Sequence, residues 1–242
     1  MAIDKSRATA DPGPKPSVTE GHQREIIMAI HRSRWPALCG AILIPAVLLG
    51  ASDAKRFPQL TVADLTPAQH AVADEVLKVS SLGIQGPYNV MLRSPVMAQR
   101  MVALLDYLRF NTSVPRRLNE FAILIQARLW TSQVEWKAHY PLALKAGLSE
   151  AVAADLNAGR RPASMQPDEA VVYDLCMELS NNHDISDATF ARARAIMTDQ
   201  QIVDLVTLSG TYVTVAMMLA AGREGTPDGS TPLPTLPAPA IR

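Results

Sequence analysis

The stretch 115-PRRLNEFAILIQARLWTSQVEWKAHYPLALKAGLS-149 decides the fold. Two runs with an apolar period near 3.6 residues flank a short hydroxyl-bearing turn, Thr131-Ser132, and neither run alternates as a strand would. Ser113-Val114-Pro115 opens the first helix and Gly147 closes the second. In the first run Ala122, Ile123, Leu124 and Ile125 follow one another, so much of that helix is expected inside the core. Glu120 stands in the same run, and a carboxylate there needs either a partner or a raised pKa.

The second run carries Glu135 and His139 four positions apart, on one helix face. Two readings compete. A carboxylate beside an imidazole is suited to acid/base work near neutral pH. Alternatively, Ser132 and Glu135 form a capping box, with the glutamate also favoured by the helix dipole. Capping accounts for both of those residues and leaves His139 unexplained. Arg116, Arg117 and Arg128 flank Glu120. They satisfy it structurally, hold a substrate carboxylate in a bidentate grip, or, for Arg116 and Arg117, line a solvated first turn.

Outward from this pair the helical period continues from Leu65 to Ala221. Thr66-Pro67 opens a helix reaching about Val79, and 81-SLGIQGPYNVMLRSP-95 is expected to be a loop. A helix follows Ser94-Pro95 and runs through MAQRMVALLDYLRF. Beyond Gly147, helices are expected over about 149–158, 167–181, 187–197 and 199–221. The last is the most apolar, and needs burial by its own bundle or by a neighbouring subunit. The class is therefore all-α, with the folded domain placed at 55–222.

The ends differ from this core. Residues 1–27 are polar and Pro-containing and read as disordered or as an over-extended frame, with Met28 as the true start. Residues 28–54 have a basic beginning, an apolar run from Pro36 to Gly50 and small closing residues, the layout of a signal peptide. A periplasmic or secreted protein with no stable membrane span after processing is expected. Residues 223–242 are rich in Pro and Gly and read as a disordered tail. The chain has 23 basic and 23 acidic side chains. That balance, without a basic stripe, argues against a nucleic-acid partner. Cys39 falls in the leader, which leaves Cys176 without a disulfide partner.

The run PRRLNEFAILIQARLW…SQVEWKAHYPLALKAGLS, with 86-GPYNVMLRSP-95 upstream, resembles the carboxymuconolactone decarboxylase family, which shares its fold with the alkylhydroperoxidase D proteins. The resemblance implies an alkylhydroperoxidase D-like helical bundle, assembled as a homotrimer or hexamer, with its site near subunit contacts. In the peroxidase branch a glutamate precedes a Cys-x-x-Cys pair and a histidine. The glutamate falls on Glu120, the histidine on His139, and the two cysteine positions on Ser132 and Glu135. A hydroxyl and a carboxylate cannot cycle through a disulfide, so thiol peroxidase chemistry is excluded.

What the resemblance then implies is the decarboxylase branch, acting without a cofactor on a small carboxylated or lactone metabolite. His139 would give the proton, Glu135 would orient it or act as base, and Glu120 would stand behind them. Arg116 or Arg117 would bind the substrate carboxylate, with Ser132, Trp136 and Tyr88 as further substrate contacts. Two other classes stay open: a non-catalytic exported oligomer that binds a small ligand, and a metal-dependent hydratase or oxygenase using Glu120, Glu135 and His139.

Several residues carry paired readings. Trp130 and Trp136 either wedge the two helices together or stack on substrate. Tyr88 and Asn89 form a lid or a plain turn. Tyr212 fills the core or reaches the pocket with its hydroxyl. Pro141 removes one helical hydrogen bond just after His139. His70 and His183 read as surface residues.

Overall fold

The computed structural model describes residues 54–80 and 82–236. The expected extension over 1–27 and the leader over 28–54, apart from Ala54, lie outside them, as do residues 237–242. Among the described residues only helices and loops occur, which establishes the all-α class.

Thr66 starts α1 (Pro67–Val79) as its sequence predicts: its hydroxyl accepts from the Gln69 N–H and the Gln69 side chain returns to the Thr66 N–H. The Gly/Pro-rich stretch after α1 is not wholly loop, because Pro87 opens a short helix, α2 (Pro87–Met91), after Gly86 at φ 59°. Then come α3 (Pro95–Asp106) and, without a break, one π turn at Tyr107–Asn111. The rest is α4 (Arg116–Leu129), α5 (Gln133–Lys145), α6 (Glu150–Asn157), α7 (Pro167–Asn182), α8 (Asp187–Ile196) and α9 (Asp199–Gly222).

The centre is α4, where every residue from Leu118 to Arg128 is buried. It packs against α5, α7 and α9, so no face of its middle turns meets water. Each fully enclosed Phe121, Ile123, Leu124 or Ile125 contributes about 1.5–3 kcal/mol of burial. Buried polar residues of the same helix each find at least one partner. Asn119 donates to the Leu108 carbonyl at 3.0 Å, and Gln126 donates to Ser209 Oγ at 2.7 Å. Arg128 donates to the Pro234 carbonyl at 2.7 Å.

That last bond corrects the expected disordered tail. Residues 223–236 run back along the domain, and Leu233 is only 3% exposed. Gln133 brackets Leu233, accepting its N–H and donating to its carbonyl, both at 2.8 Å. Asn157 takes the Pro232 carbonyl at 3.0 Å. Prolines lack N–H groups, and here side chains from the helices supply the donors that their carbonyls need. The other end of the domain is tied to the same region: Lys55 pairs with Glu224 at 2.8 Å, and Arg56 N–H reaches the Gly222 carbonyl.

α9 has two apolar faces. Ile202, Leu205, Leu208, Tyr212, Val215 and Leu219 point into the bundle. Val203, Val206, Gly210, Val213, Met217 and Ala220, at alternating three- and four-residue spacing, form an outward stripe of exposed and half-buried positions. The helix is long and apolar enough to cross a membrane, and 56% of its most apolar window is buried within the bundle.

Candidate functional site

His139 lies on α5, 6% exposed, between two partners from different helices. Its Nδ1 is 2.7 Å from Glu120 Oε2 on α4, and its Nε2 is 3.1 Å from the Tyr212 hydroxyl on α9. The His139 and Tyr212 rings meet edge-on at 90°. Glu120, 1% exposed, accepts from Arg116 Nε at 3.0 Å on its other oxygen. The result is a continuous line, Arg116–Glu120–His139–Tyr212. A carboxylate at Nδ1 fixes the proton there, so Nε2 presents its lone pair to the phenol.

Burial dominates the charge states. It pushes Glu120 upward, but the hydrogen bond from His139, with the charges of Arg116 and Arg109, outweighs it and holds this carboxyl below its ordinary value. His139 goes the other way: burial depresses its pKa, and Glu120 offsets only part of that. The imidazole is therefore neutral near pH 7. Burial also raises the Tyr212 phenol well above its usual range.

Glu135 is as deeply buried as Glu120 but differs from it in partners and charge state. It is 3% exposed, and neither carboxyl oxygen has a hydrogen-bond partner among the described residues. Burial pushes it up to about 8, opposed only weakly by nearby Ser132, so it carries a proton at neutral pH. The expected capping box is absent: Ser132 precedes α5 but its hydroxyl caps nothing. The backbone explains this. Thr66, Ser149 and Thr198, which do cap, have ψ between 146° and 162°, whereas Ser132 has ψ 94°. Thr131 before it is left-handed, φ 48°, and turns the Ser132 N–H back to the Ala127 carbonyl at 2.7 Å. Glu135 is thus freed from capping and left unpaired.

Glu135, His139, Tyr212, Tyr88 and Arg109 together line a pocket of about 70 Å³, whose remaining wall is largely apolar. That is room for several waters or for the reacting end of a small metabolite. Tyr88 comes from α2, and burial raises its pKa. Arg109 sits on the π turn, a helix defect common at functional sites. Its guanidinium lies 4.7 Å over Phe110, and its buried Nε has no hydrogen-bond partner. Sequence reading passes over Arg109 because DYLRFN looks like an ordinary solvated helix end. Only the π turn signals it, and that turn has no signature in the residues.

The other expected contacts are placed elsewhere. Arg116 is spent on Glu120 and does not line the pocket. Arg117 is a correction: it pairs with Asp168 at 2.7 Å and with Glu169, joining α4 to α7. Trp136 is buried in the core, stacked on Tyr140 of its own helix with centroids 5.9 Å apart, and does not line the pocket. Ser132 lines a different hollow, of about 250 Å³, between the α4–α5 turn and residues 223–231. Asn89, read as part of a lid or of a plain turn, is wholly buried and bonded to Leu60, Phe57 and Glu224. α5 continues through Pro141, which leaves the Lys137 carbonyl without its usual donor. Cys176 is buried, with its thiol pushed up to about 12 by that burial.

Among the described residues no three His, Cys, Asp or Glu side chains converge as metal ligands. Both nitrogens of His139 are already engaged. Compared with protein-family models, curated proteins and solved structures, the chain matches none. The function therefore has to be argued from the pocket itself. It holds one carboxyl kept protonated, one kept ionised behind a neutral imidazole, and a phenol on that imidazole. Pairs of like groups driven apart by their surroundings mark out acid and base.

Proposed function

We propose that the chain is a cofactor-free acid/base enzyme of the carboxymuconolactone decarboxylase type, built on an alkylhydroperoxidase D-like bundle. Its reaction is decarboxylation, or a related proton transfer at carbon, on a small carboxylated or lactone metabolite. One observation carries this reading: His139 bridges Glu120 and Tyr212 at the wall of a pocket that also contains an unpaired, protonated Glu135.

In this scheme the bond from the substrate carbon to its carboxylate breaks and carbon dioxide leaves. The electron pair stays on the carbon as a dienolate, and the Tyr212 hydroxyl, leaving His139 Nε2, turns its single proton to the developing oxyanion. Glu135 then gives its proton to the carbon, and solvent reprotonates the carboxylate that remains. His139 keeps its proton on Nδ1 and accepts at Nε2, so it orients Tyr212 and takes the phenol proton if the phenol ionises. Glu120 is a positioning residue that fixes the imidazole. The proton-donor role expected of His139 moves to Glu135, because burial and tautomer leave the imidazole neutral. Thiol peroxidase chemistry would need a cysteine, and the residues that line this pocket include none.

The outward stripe of α9 supports self-association, and a homotrimer or hexamer is the assembly proposed. The leader supports export to the periplasm or beyond. The test is a screen of carboxylated lactones and related small acids, read as carbon dioxide release and as deuterium taken up from heavy water. His139→Gln and Glu135→Gln should each remain folded and lose turnover by about 10²-fold or more. Unchanged turnover in His139→Gln removes the reading.

A further inference from the structure

The pocket wall contains one cationic side chain, Arg109, and no carboxylate of the described residues pairs with it directly. Glu120 is ionised, but Arg116 and His139 occupy its oxygens and it does not line the pocket. Glu135 and His139, which do line it, are both neutral near pH 7. Arg109 makes no ion pair among the described residues, and its Nε is buried without a partner. A half-buried guanidinium whose Nε is enclosed without an acceptor favours an anion in the space before it. A single positive charge is matched by a single negative one. A planar guanidinium, already seated over the Phe110 ring, suits the planar two-oxygen face of a carboxylate.

We infer that Arg109 is the carboxylate anchor of the pocket and that the ligand is a small monoanionic carboxylic acid, held through Arg109 with its chain toward Tyr212, His139 and Glu135. The inference rests on the acid/base reading for what happens at those three residues, but the anchoring itself does not need it. It replaces Arg116 and Arg117, whose guanidiniums are committed to Glu120 and to the Asp168/Glu169 pair. It also sets the selectivity. An uncharged amide of the same shape leaves Arg109 unanswered, and a dianion such as sulfate brings a second charge that neutral Glu135 and His139 cannot balance.

The experiment titrates the full chain with propionate, propionamide and sulfate, read by calorimetry and by the ring ¹⁵N resonances of His139. Propionate is expected to bind saturably and to move those resonances, with propionamide and sulfate at least about tenfold weaker. Arg109→Gln should weaken propionate by about tenfold or more, with Arg109→Lys in between. Arg160→Gln, on the surface, should leave it unchanged. Propionamide binding as tightly as propionate to the wild-type chain overturns the inference without any variant needing to fold. So does equal propionate affinity in folded Arg109→Gln, or no propionate binding at all. Failure of the acid/base reading looks different: propionate still binds through Arg109, while Tyr212→Phe and Glu135→Gln turn over substrate as fast as the wild type.

Discussion

His139 Nδ1 lies 2.7 Å from Glu120 Oε2, and both groups are inside the protein. The pair joins two helices adjacent in sequence, so its loss is felt in stability and in chemistry together. Glu120→Gln keeps the shape but removes the charge facing Arg116 and the imidazole. We expect a stability loss of about 1–3 kcal/mol in urea unfolding and a fall in turnover of about 10²-fold. Because Glu120 supports the protonated imidazole, the His139 pKa, followed by NMR, should drop further in this variant.

Glu135 links stability to pH with a definite sign. Its folded-state pKa is raised from 4.5 to about 8, so between those values the native state holds a proton that the unfolded chain has lost. Its contribution is complete below pH 4.5 and is lost as pH rises through 8, at up to about 1.4 kcal/mol per pH unit. His139, with its depressed pKa, acts the opposite way: its effect appears only as pH falls below the ordinary histidine value of 6.5. The window from pH 6.5 to 8 therefore isolates Glu135. Urea midpoints should fall across it in the wild type and fall much less in Glu135→Gln.

Tyr212→Phe keeps the ring edge against His139 and deletes only the hydroxyl. A stability change within about 1.5 kcal/mol is expected, because one buried hydrogen bond is lost. Turnover should fall by about 10²-fold. The His139 Nε2 resonance should move toward that of a free imidazole lone pair while Nδ1 stays protonated by its bond to Glu120.

The outward face of α9 leads to a prediction about assembly. Val203 is 62% exposed and Met217 is 50% exposed, among the most exposed apolar side chains of the described residues. Val203→Lys and Met217→Glu should each leave the helical circular dichroism intact and shift sedimentation toward the single chain. No change in sedimentation would mean that the assembly, if present, uses another surface.

Much of this architecture was readable beforehand. Thr66-Pro67, Ser149 and Thr198 mark helix starts through local chemistry, and the enclosed middle of α4 follows from consecutive apolar residues. Glu120 was legible for the same reason, as a charge where only apolar side chains belong. What the residues leave open or hide depends on distant partners or on backbone angles. Tyr212 carried two readings, core or pocket, and its meeting with His139 lies across 73 residues of chain, so no spacing decides between them. Ser132 and Glu135 match a capping box in letters, and only a ψ of 94° undoes it. The Pro-rich tail reads as disorder because its partners, Arg128, Gln133 and Asn157, lie on three helices far from it in sequence.

The pocket is also divided by origin. The proton-handling groups belong to α4, α5 and α9, while Ser80, Leu82, Pro87 and Tyr88 on its wall come from the end of α1 and the short connection into α2. Evolution, or an engineer, can therefore redraw the doorway by editing about ten consecutive residues without reaching the machinery behind it. Relatives that differ only there would be expected to share one chemistry and to choose different molecules.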